Sequence, residues 1–184
     1  MAIRVASAPI NWGIMEHIEL PADYPWGRVL DEIKASGYTG TELGPYGFLP
    51  ADSAKLRSEL ERRSLTLCSA FVDIELGNAA VLDEGLAFVA RSAQLISEAG
   101  ARLLVLSDKI MPDRNATAGR REESNQISWN NAQWKAAATA ISAVIELCKK
   151  MGLRVAFHHH AGSHVETPEE VDRLLIALKK ITAL

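Results

Sequence analysis

Four of the chain's five histidines fall within seven residues, in the stretch HHHAGSHVETPEE at positions 158–170. Imidazole titrates near neutral pH, so such a cluster can bind a metal ion or move a proton. It can also be an accident of a loop. The run is internal, which excludes a terminal purification tag. Side chains alternate along an extended strand. Over Leu153–His160 this puts Ala156, His158 and His160 on one face, and Val155, Phe157 and His159 on the other. The larger apolar residues should meet a helical layer, with His159 outward beneath it, so His158 and His160 should face the interior. Two such side chains stand about 6.5–7 Å apart at the backbone. That spacing lets both contact one divalent ion or one substrate. Imidazole suits Zn, Mn, Co or Fe, and carboxylates would complete a harder site. The nearest acid in the same layer is Glu42, and Glu166 lies in the loop that follows, with His164. Nucleophile readings are weaker: there is no GxSxG elbow, and neither Ser69 nor Ser107 has an identifiable base.

These residues need elements to place them. The chain alternates short apolar runs with longer amphipathic ones five times. The spacing predicts strands over Ile3–Ile10, Thr39–Leu43, Leu65–Val72, Arg102–Ser107 and Leu153–His160. It predicts helices over Trp26–Ser36, from Asp52 or Ser53 through Arg63, over Val81–Ala99, from Asn130 or Asn131 through Met151, and from Pro168 onward. Gly37, Gly100 and Gly152 stand at helix ends, where a left-handed residue is favoured. Thr167, Pro168 and Glu170 form an N-cap, a first-turn proline and a capping-box acid. Apolar faces follow a helical repeat: Leu86, Val89, Ala93 and Ile96 in one helix, Ile141, Val144, Cys148 and Met151 in another. Val171, Leu174, Leu175 and Leu178 form the last. Asp108–Trp129 breaks the rhythm as a long segment of little periodicity, either a lid or a plain mobile insertion.

Alternating strands and helices with near-continuous apolar strands imply an α/β fold with a parallel sheet. A doubly wound open sheet would be complete with about five strands. A (β/α)8 barrel needs about 250 residues, so a chain of 184 would be a partial barrel of about five β/α units. No glycine-rich dinucleotide fingerprint follows the first strand. Polar residues gather where strands end: Glu42, Asp73, Ser107, Asp108, His158 and His160. Barrel sites assemble there, which favours the partial barrel, read as one domain over 1–184 cut after its fifth unit.

A net charge of −3 predicts no general attraction to nucleic acid or anionic membranes. No apolar run reaches the roughly 20 residues of a membrane span. No signal peptide is read at the N-terminus. The two cysteines, Cys68 and Cys148, lack CxxC spacing and fit reduced, buried thiols in a cytoplasmic protein.

The motifs APINWG after strand one, GYTGTELGPYGFLP across strand two and HHHAGSHVETPEE after strand five resemble the xylose isomerase-like TIM-barrel superfamily. The likeness is greatest to sugar phosphate isomerase/epimerase-type and inosose dehydratase-like proteins. It implies a divalent ion, Mn or Co foremost and Zn as a third candidate. It implies a sugar or cyclic polyol ketone as the small-molecule partner, and proton transfer next to a carbonyl. His158, His160 and Glu166 take the catalytic positions, with His158 and His160 as metal ligands in an H-x-H-x-G motif completed by Gly162. Glu42 matches the family's acid expected to line the substrate pocket, and Trp12, Asn11, His164 and Asp108 are further candidates for substrate binding; Trp12 can stack on a sugar face or pack in the core. The family's later strands supply an aspartate, a histidine and a glutamate that this sequence lacks. The alternative is a non-catalytic fragment acting as a sugar-binding or assembly module; a homo-oligomer is compatible with either.

Overall fold

The computed structural model describes residues 3–16 and 25–182, with the side chains of 179–182 set aside. Among these described residues, six strands and seven α-helices follow one another. The strands are β1 (Ala6–Ser7), β2 (Gly40–Thr41), β3 (Thr66–Leu67), β4 (Ala70–Ile74), β5 (Leu103–Asp108) and β6 (Arg154–Phe157). The helices are α1 (Trp26–Ala35), α2 (Ser53–Arg62), α3 (Leu82–Glu98), α4 (Pro112–Thr117), α5 (Arg121–Gln126), α6 (Asn131–Lys150) and α7 (Pro168–Thr182). They form two three-stranded sheets, ordered β1-β2-β3 and β4-β5-β6. Pairing is parallel in the first, with Ala6 opposite Gly40 and Gly40 opposite Thr66. In the second, Arg154 N–H donates to Arg102 and His158 N–H to Leu106, so β5 and β6 also rise together. This is the α/β, partial-barrel architecture expected from the alternation.

The chain groups into two compact units. The first comprises residues 1–71, 91–105 and 148–154; the second comprises 72–90, 106–147 and 155–184. In the first, Val29, Leu30 and Ile33 of α1 and Leu56 and Leu60 of α2 are buried, as their spacing requires. Arg63 is buried there too, its guanidinium donating to Asp31 at 2.6 Å and Glu59 at 2.5 Å. In the second, Ala137, Ala140, Ile141 and Val144 of α6 form the buried stripe.

Local chemistry sets the element ends. Asp52 caps α2 by accepting from Lys55 N–H at 2.7 Å. Asn130 caps α6 by accepting from the N–H groups of Ala132 and Gln133. The α7 capping box forms as read: Thr167 N–H donates to Glu170 at 2.9 Å, and Glu170 N–H to the Thr167 hydroxyl at 3.4 Å.

The departures have physical causes. The first strand is shorter than Ile3–Ile10, because Pro9 opens a 3-10 turn over Pro9–Trp12 that leaves the sheet. The third strand is not continuous over Leu65–Val72. It breaks at Cys68–Ser69, so β3 serves one sheet and β4 the other. The fifth ends at Phe157 rather than His160. Leu175 is 50 % exposed, so it lies off the buried face of α7. Asp108–Trp129 is not structureless: it carries α4 and α5.

Candidate functional site

In the first unit, Glu42 follows β2, half-buried, and accepts from the Ser69 hydroxyl at 2.8 Å. Burial holds the neighbouring Cys68 thiol above its ordinary value, and the Glu42 charge adds to that. Asn11 lies on the 3-10 turn and donates to the Ser7 hydroxyl at 2.9 Å. Trp12, on the same turn, donates its indole N–H to Glu32 of α1 at 2.7 Å. That contact ties the turn to the helix and occupies the polar edge of the indole.

The second unit holds the histidine run. His158 and His159 are exposed and His160 is half-buried. The exposed edge strand β6 leaves His159 in solvent, not beneath a helical layer. The His158 and His160 rings approach edge to face, with centroids 5.5 Å apart. His160 Nδ1 is 2.8 Å from the Ala161 carbonyl, so Nδ1 carries the proton and Nε2 keeps its lone pair. That is the tautomer a metal-binding imidazole uses. The donor type fits a divalent ion, but the donor number does not. Among the described residues no group of three His, Cys, Asp or Glu side chains could hold one.

His164 is set differently. Asp108, at the end of β5, is 2 % exposed. One of its oxygens accepts from Leu76 N–H at 3.1 Å; the other accepts from His164 N–H at 2.9 Å and faces His164 Nδ1 at 3.3 Å. The carboxylate is thus committed to protein donors, and it holds the imidazole with Nδ1 inward and Nε2 outward. Trp129 stacks on the other side of that imidazole, 5.1 Å between centroids and 13° between planes. Asp108, His164 and Trp129 line a cleft of about 420 Å³ with Glu75, Met111 and Gln133.

A brace stands behind this cleft. Arg114 of α4 is fully buried. It donates to the Ser163 carbonyl and to Glu170 at 2.8 Å each, and to the Ser124 carbonyl. Glu166 accepts from Gly162 N–H at 2.8 Å and Gly119 N–H at 2.5 Å, so both its oxygens bind backbone amides. Arg121 and Asn125 of α5 reach Glu169 of α7. Arg114, Trp129 and Gln133 were not singled out as site residues from the sequence. The long segment's weak periodicity was the only signal near Arg114; the strand-end rule pointed to Asp108 but not to its partner.

Residues 30–181 match the model of the xylose isomerase-like TIM barrel family. The chain belongs to this family. It is 34 % identical over 175 residues to the rhizopine catabolism protein MocC of Rhizobium meliloti, covering 95 % of this chain and 52 % of that one. It is 27 % identical over 174 residues to the inosose dehydratase of Geobacillus kaustophilus, covering 94 % and 55 %. The chain thus spans about half the length of the curated relatives it matches. Among solved structures it is similar in fold to an L-ribulose 3-epimerase, with a TM-score of 0.69 at 14 % identity, covering 98 % of this chain and 58 % of that one. It is likewise similar to a xylose isomerase-like protein from Mycobacterium smegmatis in complex with magnesium, with a TM-score of 0.66 at 15 % identity, covering 97 % and 61 %. These likenesses support a family of sugar isomerases, epimerases and dehydratases.

Proposed function

We propose that this chain is the site-bearing part of an enzyme that moves a proton next to the carbonyl of a sugar or cyclic polyol ketone, with dehydration of an inosose as the leading reaction. The observation that carries the reading is the Asp108-held His164 beside the second unit's cleft. The relatives named inosose dehydratase supply the substrate class.

A hydrogen on carbon next to a carbonyl is weakly acidic, so its removal needs a positioned base. With Nδ1–H given to Asp108, His164 Nε2 is free to accept that proton, a contribution of roughly 10²–10⁴-fold. The electron pair passes to the carbonyl oxygen as an enolate. Return of the proton to the opposite face of the same carbon gives an epimer; return to the former carbonyl carbon, with the adjacent hydroxyl's proton passing to the enolate oxygen, gives an isomer. Departure of a β-hydroxyl with a proton, as water, gives the dehydrated ketone. A divalent ion, where bound, would stabilise charge on the carbonyl oxygen. His158 and His160 are the proposed imidazole donors toward it, and no step is routed through it. Glu166 is proposed to act through the loop it braces. Glu42, Asn11 and Trp12 are the first unit's candidates for contact with substrate hydroxyls.

The test is turnover and solvent exchange in D2O with an inosose, a ketopentose and a ketohexose. Deuterium at the carbon next to the carbonyl, or loss of water, is expected. His164→Gln and Asp108→Asn should each lower kcat by about 10²-fold or more. Full activity in both variants would remove His164 from the reaction. A second reading, a sugar-binding module without turnover, draws on the missing third ligand among the described residues. It predicts binding of the same compounds without exchange.

A further inference from the structure

We infer that the indole N–H of Trp129 is a ligand-binding donor, holding a hydroxyl or carbonyl oxygen of the molecule whose proton His164 handles. The inference rests on the functional reading above and adds a residue that reading does not use.

Trp129 is 5 % exposed. A buried tryptophan N–H normally finds an acceptor, because an unpaired buried donor loses its bonds to water with nothing in return. Half-buried Trp12 gives its N–H to Glu32; buried Trp134 has no acceptor among the described residues, but unlike Trp129 it does not line the cleft. Trp129 has none either: its ring makes two aromatic contacts, and among the described residues no acceptor reaches its N–H. Nor is that N–H sealed away. The fully enclosed unpaired side-chain atom among the described residues is Ser92 Oγ, not Trp129 Nε1.

The ring is fixed on its other sides. His164 stacks on it, and Trp134 meets it at 83° with centroids 5.1 Å apart. The N–H edge is left beside Gly77, which lines the same cleft. A Cβ on Gly77 would stand 2.5 Å from Trp129 Nε1. Glycine at this position therefore keeps the donor edge uncovered; any larger residue would block it or push the ring off His164.

The neighbours extend the same pattern. Asn130 spends its side-chain oxygen on two α6 amides, and Gln133 spends its own on Asn130 N–H at 3.0 Å. Their NH2 ends are the parts left for a ligand, and both residues line the cleft. His164 Nε2 stands on the accepting side; the Glu75 carboxylate already accepts from Asn78 at 3.1 Å and pairs with Lys109 at 3.8 Å. The lining carries no lysine or arginine. Donors and acceptors without a cation suit hydroxyl and carbonyl oxygens and disfavour a phosphate.

The experiment is a titration of the ¹⁵N-labelled protein, following the indole N–H resonances. An inosose, a ketopentose and a ketohexose are the probes, and inorganic phosphate is the charged comparator. Trp129→Phe assigns the Trp129 signal and retains the stacking ring. A polyol ketone should move the Trp129 resonance, and phosphate should not. Trp129→Phe should bind that ketone roughly five- to tenfold more weakly, measured well below the melting temperature of both proteins so that any loss of packing stability is kept apart from the binding. Gly77→Ala should weaken binding through the displaced ring. If a ketone binds while the Trp129 resonance stays fixed and Trp129→Phe binds equally well, the inference fails and the functional reading stands. If phosphate alone moves the resonance, the assignment of the oxygen is overturned. If no ketone binds at all, the functional reading falls and the inference falls with it.

Discussion

At the scale of single residues, two imidazole arrangements lie close in sequence and differ in what holds them. His164 is gripped by Asp108 and Trp129. His158 and His160 sit past the end of β6, where His160 gives Nδ1–H to its neighbour's carbonyl. A ligand pair for a metal needs neither ring buried, only both lone pairs free to converge. In the protein containing this chain, His158→Ala and His160→Ala should each lower divalent-ion affinity by about tenfold or more, the scale of losing a ligand or its partner. His159→Ala should leave affinity unchanged, since its side chain is exposed and on the opposite parity. Calorimetric titration with Mn2+ checks the pattern. Equal losses at all three would show charge or solvation at work rather than ligation. Although it ends at Phe157, short of the three histidines, the strand leading into the run was legible because alternation is a local rule. The Asp108–His164 pair was not, although both residues were singled out, because 56 positions separate them and no local pattern records the meeting.

At the scale of elements, helix ends were the most legible feature, since each rests on groups within four residues: Asp52 on Lys55, Thr167 with Glu170, and Gly37, Gly100 and Gly152 at positive φ. The broken third strand was not legible. Its apolar run continues through the break, and only sheet partners distinguish β3 from β4. Arg114 lies in the segment whose weak periodicity suggests a lid or a mobile insertion, yet it is the buried centre of the α4–α5 segment. Removing one partner of a buried pair leaves the other charge uncompensated, at about 3–5 kcal/mol. Arg114→Met should therefore release α4 and α5, making Arg120 and Arg121 sites of rapid tryptic cleavage, while the parent chain resists. Arg114→Lys, which keeps the charge but loses the fork, should fall between. Acid should loosen the same segment to a smaller extent. Arg121, the residue's own backbone N–H and Asn125 hold the Glu169 carboxyl at about 2, below its ordinary 4.5. A folded value depressed in this way favours the fold above about 4.5 and is lost as pH falls toward 2. The pair is exposed and screened, so cleavage should accelerate only modestly across that window. Cleavage independent of both substitution and pH would show that the segment is held by other contacts.

At the scale of the whole chain, each sheet has two terminal strands among the described residues, β1 and β3 in one and β4 and β6 in the other. β3 and β4 are consecutive in the chain, which leaves β1 and β6 as the outer edges. Flanking β1, Ile3 is 92 % exposed and Val5 55 % exposed. Beside β6, Ala156 and His158 are also open to solvent. A parallel sheet is normally covered on its faces and continued or closed at its edges, and an open apolar edge is a template for another strand. Arg4 beside β1 and Arg154 in β6 are the charges at these edges, and neither strand contains a proline or a lysine. The 184-residue chain alone should therefore self-associate, with an average mass by light scattering that rises with concentration. Val5→Lys places a charge beside the β1 edge and should lower that mass while leaving the helical circular dichroism unchanged. Ile3→Lys should act in the same direction, more weakly if pairing is centred on Ala6 and Ser7. A chain that stays monomeric at high concentration, with cooperative unfolding, would mean that these edges are not adhesive. A mass that rises equally in the lysine variants would move the contact away from β1, to β6 or to the exposed Leu175 and Ile176 of α7.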